Sequence, residues 1–168
     1  MGIDMSIIDE LIQKYPSLEC CRREIEAAAE LIILCYKNGG KLLICGNGGS
    51  AADSEHIVGE LMKGFLSARP LPAAKREEMK KACPLISDDL LSKLQGALPA
   101  ISLTGSPSLS TAFSNDVDPE LVFAQQVFGL GRKGDILIGI STSGNAANVA
   151  QACLVARAAG MQVIGLTG

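Results

Sequence analysis

KLLICGNGGSAADSEHIVGE, residues 41–60, carries the clearest indication of the fold in this chain. It opens with a short apolar run, KLLIC at 41–45, that is typical of a buried parallel strand. The glycine-rich segment GNGGS follows at 46–50, and residues from about Ala51 to Phe65 have helical periodicity. A strand that passes through glycines directly into a helix is the building unit of α/β proteins.

The same unit recurs along the rest of the chain. Apolar runs at 98–104, 134–142 and 161–168 each end in small polar residues, and helical patterns occupy about 107–113, 119–130 and 146–159. This alternation predicts an α/β fold with a doubly wound, mainly parallel sheet flanked by helices, a flavodoxin-like or Rossmann-like three-layer sandwich. In such sheets the ligand binds at the carboxyl ends of the strands.

Two further segments complete the predicted single domain over residues 1–168. Helices are expected within 4–37, broken at Pro16 and ended by Asn38-Gly39-Gly40. Residues 66–97 interrupt the rhythm, and we expect an inserted helical excursion at about 71–97. It should hold two short helices, the second with Ser87 as its N-cap. Because a helix should follow the last strand, we also expect that a C-terminal part is missing.

Composition excludes several classes of protein. The chain has 168 residues, 48% of them hydrophobic, and a net charge of −3, so it is not a disordered chain and has no positive field for nucleic acid. No apolar run reaches the roughly 18 residues of a membrane span. The six cysteines form no C-x-x-C pair, which predicts reduced thiols and a cytoplasmic location.

The loop after the first strand is open to three interpretations. Gly46, Gly48 and Ala51 satisfy a dinucleotide fingerprint, but the next strand comes too late to supply the acidic ribose ligand about 20 residues on. A turn that only lets strand and helix pack is the second. The third is an anion cradle of backbone N–H groups, Ser50 and the helix N-terminus. In that cradle, Asn47 would offer a donor and an acceptor to a sugar hydroxyl.

A second polar loop follows the third predicted strand. Ser141, Thr142 and Ser143 are followed by Gly144 and open the next helix. One hydroxyl would suffice as an N-cap, whereas three hydroxyls with helix N–H groups can surround the oxygens of a phosphomonoester. The loop has no Lys or Arg, so neutral donors and the helix dipole would hold such a phosphate.

His56 and Glu60 are four residues apart on the predicted helix and therefore neighbours on one face. They could form a buried structural pair, or Glu60 could be a general base with His56 as its partner. They could also bind a divalent metal, but His56 is the chain's only histidine, so that site would be incomplete. Asn115 and Asp116 either end a helix or lie in a loop from which Asp116 reaches the same cleft.

Four motifs together resemble the sugar isomerase (SIS) domain family. They are CGNGGSAADSEH at 45–56, SND at 114–116, GDILIGISTSGNAANV at 134–149 and GMQVIGLTG at 160–168. STSGN after an apolar strand is typical of the SIS domain. CGNGGS followed by H-x-x-x-E resembles the phosphoheptose isomerase branch of that family. The resemblance spans nearly the whole chain except the 71–97 excursion.

The resemblance implies an aldose–ketose isomerase that converts sedoheptulose 7-phosphate into D-glycero-D-manno-heptose 7-phosphate in heptose biosynthesis. A base would remove a proton from the carbon next to the carbonyl, an enediolate would form, and the proton would return on the neighbouring carbon. Such chemistry needs two positioned acid–base groups, or one with an electrophile that stabilises the enediolate. The resemblance further implies a homotetramer with active sites between subunits.

The same resemblance implies roles for individual residues. Glu60 and His56 would be catalytic, and the two would also be zinc ligands in members that bind zinc. The phosphate would be held by Ser141, Thr142 and Ser143. The expected contacts to the rest of the substrate are Asn47, Gly48, Gly49, Ser50, Asn115 and Asp116.

Three departures from the family pattern qualify these expectations. Ala146 stands where the family usually has a serine that assists substrate binding, so one hydroxyl is lost. Residues 71–97 replace a loop that is usually short. The C-terminal Gln and His that complete the family's metal site and acid–base pair would lie beyond Gly168.

Two other functions remain open from the sequence. One is a non-catalytic SIS-fold protein that binds a sugar phosphate or a replication initiator. The other is an isomerase of a different sugar phosphate. The retention of Glu60 favours an enzyme, because a pure adaptor needs no carboxylate facing the cleft.

Overall fold

The computed structural model describes residues 5–168, and the first residue of the helix expected from 4 lies outside that range. Strands are β1 (Leu42–Gly46), β2 (Ala100–Ser102), β3 (Ile136–Ser141) and β4 (Gln162–Thr167). The helices are α1 (Met5–Lys14), α2 (Arg22–Lys37), α3 (Gly49–Met62), α4 (Ala73–Ala82), α5 (Asp88–Lys93), α6 (Pro107–Asp116), α7 (Val122–Leu130) and α8 (Ala147–Ala158). Short 3-10 turns at Pro16–Cys21 and Pro119–Leu121 precede α2 and α7.

The four strands form one parallel sheet in the order β2-β1-β3-β4. Leu42 of β1 is in register with Ala100 of β2 on one side and with Ile136 of β3 on the other. Parallel pairing aligns the carboxyl ends of all strands at one edge, so the loops that follow β1, β2 and β3 meet there. The predicted parallel α/β sheet is therefore confirmed.

Helices cover both faces of the sheet. Alternate strand residues point to opposite faces, and apolar residues on both faces need to be buried. Leu43 and Leu137 pack with α7 and α8, whereas Leu42 and Ile44 pack with α2 and α3. All five residues of β1 are buried, as expected for a central strand with helices on both sides. The layers are helices, sheet and helices. Burial in this core raises the pKa of the Cys45 thiol to about 12, with Cys153 adding to the effect.

The segment between α3 and β2 is an appendage closed at its base. Pro70 and Gln95 form an antiparallel bridge, and the Gly96 N–H donates to the Arg69 carbonyl at 2.6 Å. Beyond this base come α4 and α5, as the excursion was expected to contain. The Leu90 N–H donates to Ser87 Oγ at 3.1 Å, which confirms the predicted N-cap.

Several boundaries differ from the sequence-based prediction. The helix expected from Ala51 begins two residues earlier, at Gly49. The helix expected over 107–113 continues to Asp116, so Asn115 and Asp116 lie in its last turn and the loop interpretation was wrong. The periodicity of apolar residues indicates that a segment is helical, but the hydrogen bonds at its ends determine at which residue the helix begins and ends.

Within residues 5–168, none of the helices combines the length and apolar character needed to cross a bilayer.

Candidate functional site

A cleft of about 270 Å³ opens at the carboxyl edge of the sheet. It is the position at which a ligand was expected from the sequence. The loop after β1 forms one wall, and residues from α6, α7, α8 and the segment after β2 form the others. Its lining consists of Gly46, Asn47, Gly48, Ala51, Thr104, Ser110, Ser114, Pro119, Val122, Phe123 and Asn148.

Two glycines of the β1–α3 loop are required by its geometry. Gly48 has φ 54° and ψ −118°, a conformation that residues with a Cβ rarely adopt. A Cβ on Gly46 would lie 2.7 Å from Ser50 Cβ and 2.8 Å from the Ser50 carbonyl oxygen. The loop therefore brings its backbone close to the start of α3, where helix N–H groups favour an anion. Ser50 itself is buried and does not line the cleft.

A reciprocal amide pair joins this loop to α8. Asn47 Nδ2 donates to Asn148 Oδ1 at 2.8 Å, and Asn148 Nδ2 donates to Asn47 Oδ1 at 2.9 Å. Asn148 Oδ1 also accepts from the Val149 N–H at 3.0 Å, which fixes the amide orientation. The pair therefore holds the Asn47 side chain in one orientation at the cleft, with Nδ2 as the donor and Oδ1 as the acceptor.

The Ser141–Thr142–Ser143 loop lies next to this cleft without lining it. Ser141 is the last residue of β3 and is buried, and β3 pairs directly with β1 up to Gly46. Thr142 and Ser143 are exposed, and Gly144 closes the turn with φ 68°. The Asn47–Asn148 pair connects the cleft to the helix that this loop opens. The two predicted polar loops are thus neighbours, as parallel pairing of β1 and β3 requires.

Thr104 follows β2, lines the cleft and forms a hydrogen bond with a carboxylate. Its Oγ1 donates to Glu55 Oε1 of α3 at 3.1 Å. Ser102 Oγ lies 2.6 Å from Thr104 Oγ1. The sequence reasoning missed both Thr104 and Glu55.

Asn115 and Asp116 do not line the cleft in this chain. Both are exposed, and Asn115 Nδ2 donates to Asp116 Oδ1 at 2.8 Å. The residues of α6 that do line the cleft are Ser110 and Ser114. They are four apart and so share a helix face, while Asp116 lies on a different one.

His56 and Glu60 lie away from the cleft, which corrects the expectation that Glu60 faces it. The two are neighbours, with His56 Nε2 3.9 Å from Glu60 Oε1, but their side chains are 77% and 45% exposed. This exposure also rules out the buried structural pair. Glu60 comes 11 residues after Gly49, roughly 16 Å along the helix axis. It lines a separate hollow of about 220 Å³ with Phe65, Leu66 and Arg69.

The metal ligands expected from the resemblance are incomplete. His56 and Glu60 supply an imidazole and a carboxylate, which suit zinc. Among the described residues, however, no cluster of three or more His, Cys, Asp or Glu side chains could hold a metal ion. The donor set of this chain alone therefore does not fit a zinc site.

A family model described as the SIS domain matches residues 17–81 and 90–168. The chain belongs to the SIS domain family. The match skips residues 82–89 of this chain, which lie within the excursion. The family resemblance read from the four motifs is thereby confirmed.

Curated relatives of this SIS domain carry a common name. A phosphoheptose isomerase of Desulfovibrio desulfuricans is 45% identical over 137 residues, which cover 82% of this chain and 53% of the relative. A phosphoheptose isomerase of Roseiflexus sp. is 42% identical over 169 residues, covering 96% of this chain and 71% of the relative. The chain thus spans about half the length of the first relative and more of the second.

Solved structures share the fold of this SIS domain. The phosphoheptose isomerase from Neisseria gonorrhoeae is 35% identical, with a TM-score of 0.63 over 96% of this chain and 75% of that one. The phosphoheptose isomerase from Francisella tularensis is 32% identical, with a TM-score of 0.67 over 97% and 69% of the two chains. The predicted SIS architecture is therefore confirmed.

Proposed function

We propose that the protein is a phosphoheptose isomerase, which converts sedoheptulose 7-phosphate into D-glycero-D-manno-heptose 7-phosphate in heptose biosynthesis. The observation that carries the proposal is the polar cleft beside the GNGGS loop of an SIS sheet. Support comes from the relatives named phosphoheptose isomerase at 45% and 42% identity.

The groups around the cleft suit a phosphorylated sugar. Asn47 and Asn148 offer amides, and Thr104, Ser110 and Ser114 offer hydroxyls. In this proposal the hydroxyls of Ser141, Thr142 and Ser143 and the N-terminus of α8 hold the phosphate, since helix N-termini favour anions. Gly48, Gly49 and Ser50 shape the loop around the sugar. Asn115 and Asp116 are exposed in the last turn of α6 and do not line the cleft of their own chain, so in this proposal they contact sugar bound by a neighbouring subunit.

The chemistry requires a base at the cleft, and Glu60 is the proposed one, with His56 as its partner. Because these side chains lie on the solvent-exposed far part of α3, we propose that they act in the cleft of a neighbouring subunit of a homotetramer. Large exposed apolar side chains support such an assembly, because monomers rarely expose them in quantity. They include Ile7, Leu34, Phe65, Leu66 and Phe128, of which Leu66 is 96% exposed.

Zinc is proposed at His56 and Glu60 only in an assembly that supplies the remaining ligands. A cytoplasmic location is proposed because all six cysteines are free, which is typical of proteins from reducing compartments.

The first test is turnover of sedoheptulose 7-phosphate by the purified full-length protein, with and without added zinc. We expect aldose formation by the wild type and at least a 100-fold lower kcat for Glu60→Gln, since positioned acid–base groups contribute about 10²- to 10⁴-fold. Absence of turnover in a folded, oligomeric wild type would overturn the isomerase and favour a binding role.

The second test examines whether one site uses residues of two subunits. Glu60→Gln and Asn47→Ala proteins, each of which we expect to have little activity alone, are unfolded together, refolded and assayed. Mixed oligomers should regain activity, because some clefts then pair an intact Asn47 with an intact Glu60. A mixture as inactive as its components would place both residues in the site of a single subunit and contradict the shared arrangement.

A further inference from the structure

The hydroxyl of Thr104 is held by two neighbours at the wall of the cleft. Thr104 Oγ1 donates to Glu55 Oε1 at 3.1 Å, and Ser102 Oγ lies 2.6 Å from the same oxygen. Ser102 Oγ also accepts from the Thr104 N–H, at 3.4 Å. Thr104 lines the cleft, whereas Glu55 and Ser102 do not.

The directions of these hydrogen bonds follow from what each group can give. A carboxylate only accepts, so the single hydroxyl proton of Thr104 is committed to Glu55. The Ser102 hydroxyl must therefore donate to Thr104 Oγ1, because that oxygen has no second proton to share. Of the two lone pairs on Thr104 Oγ1, one accepts from Ser102, and the other remains available to accept a hydrogen bond from a ligand.

We infer that Glu55 is a positioning residue that makes Thr104 a hydrogen-bond acceptor for a hydroxyl group of the sugar. Thr104 alone could donate to a ligand or accept from one, and Glu55 removes the first option. A ligand group that donates, such as a sugar hydroxyl, is then favoured at this wall. An ionised phosphate, whose oxygens accept, is disfavoured. The inference rests on the proposed function, because it assigns the orientation of that substrate.

The strand order gives the substrate a direction. Thr104 follows β2 and Ser141–Ser143 follow β3, and these strands flank β1 on opposite sides. Two strand spacings separate them, roughly 10 Å, which suits the length of a phosphorylated sugar. The sugar hydroxyls would lie at Thr104 and the phosphate at the loop that opens α8.

The experiment is a double-mutant cycle on the full-length protein, with steady-state kinetics on sedoheptulose 7-phosphate. Thr104→Val removes the acceptor and should raise KM about tenfold with kcat little changed, the size of one hydrogen bond. Glu55→Ala frees the Thr104 proton and should raise KM about threefold to tenfold. Glu55→Gln keeps an oxygen that accepts from Thr104 and should stay within twofold of wild type.

The double variant Glu55→Ala/Thr104→Val gives the deciding readout. If Glu55 acts through Thr104, the double variant should have the KM of Thr104→Val alone. Competitive inhibition by inorganic phosphate should be unchanged in all variants, because the phosphate end is elsewhere. Asp53→Ala, which removes another exposed carboxylate of α3, is the matched control and should behave as wild type.

Three outcomes would count against the inference. Glu55 does not act through Thr104 if the increases in KM of the two single variants add in the double variant. The same conclusion follows if Glu55→Gln raises KM as much as Glu55→Ala does. Weakened phosphate inhibition in Thr104→Val would place phosphate at this wall. Each of these overturns the inference while wild-type turnover leaves the proposed isomerase intact. A wild type without turnover would overturn both.

Discussion

Asp135 is a single residue that fixes how two central strands begin. The residue directly precedes β3 and is only 4% exposed. The carboxylate accepts from the Lys41 N–H at 3.0 Å and from the Arg132 N–H at 2.8 Å, and it pairs with Lys41 Nζ. Since Lys41 precedes β1, the contacts tie the starts of β1 and β3 together. The sequence does not reveal this role of Asp135, because no local pattern shows that its carboxylate meets the N–H of Lys41, which is 94 residues away in the chain.

Replacing Asp135 should destabilise the protein strongly. Asp135→Ala leaves two backbone N–H groups without their acceptor and a half-buried lysine without its partner, so the free energy of unfolding should fall by about 3 kcal/mol. Asp135→Asn keeps an oxygen acceptor and should cost less. Urea denaturation followed by circular dichroism measures both. Asp53→Ala should change the unfolding free energy by less than about 0.5 kcal/mol; equal midpoints for Asp135→Ala and Asp53→Ala would contradict the assignment.

The β1–α3 loop could be predicted from the sequence because its glycines and the start of α3 are contiguous in the chain. The GNGGS pattern predicted a backbone turn at a helix N-terminus, and the structure has Gly48 at positive φ beside the cleft. Gly49 differs from Gly48 in its φ, which is not positive, whereas an added Cβ would meet no atom within 4 Å at either position. The two neighbouring glycines therefore make different demands on the backbone, a distinction that the sequence alone does not make.

Alanine substitutions at these two glycines should have opposite effects on stability. Gly48→Ala forces a Cβ into a conformation that only glycine adopts readily, and should cost about 1–3 kcal/mol of unfolding free energy. Gly49→Ala should be neutral or stabilise by up to about 1 kcal/mol, because alanine restricts the unfolded chain and favours the helix. Thermal or urea unfolding of both variants measures the difference. Equal losses at the two positions would refute this account of the loop.

At the scale of the whole molecule, the excursion is separate from the core. Of residues 71–94, all of which the structure describes, only Leu91 is buried, and it belongs to neither cluster on the sheet faces. The bridge between Pro70 and Gln95 closes the base without those residues. The sheet and its helices should therefore fold without the excursion.

Deleting residues 71–94 and joining Pro70 to Gln95 through a short glycine–serine linker tests this separation. The shortened protein should keep a cooperative unfolding transition and lose less than about 2 kcal/mol, an amount comparable to unburying one leucine. Leu43→Ala in β1 is the comparison and should cost about 3 kcal/mol, because it opens a cavity in the core. A deletion variant that unfolds without cooperativity would show that the excursion is part of the core.

Sequence patterns predict the order of strands and helices along the chain, the parallel sheet and the two polar loops at its carboxyl edge. These features follow from local patterns: apolar runs, helical periodicity, and glycines or capping residues at element ends. The Ser87 N-cap is an example, since the cap and the N–H that it accepts are three residues apart. The family followed for the same reason, because its motifs are short and contiguous.

Tertiary packing determines which side chains from distant parts of the chain meet at the cleft and beside it. Asn47 meets Asn148 across 101 residues, and Thr104 meets Glu55 across 49. Such pairs depend on strand order and helix packing, which no local pattern encodes. The same packing places His56 and Glu60 outside this chain's cleft, although they are neighbours on one helix face as predicted. A helix places residues on a face by periodicity, but the sheet on which it packs decides what that face meets.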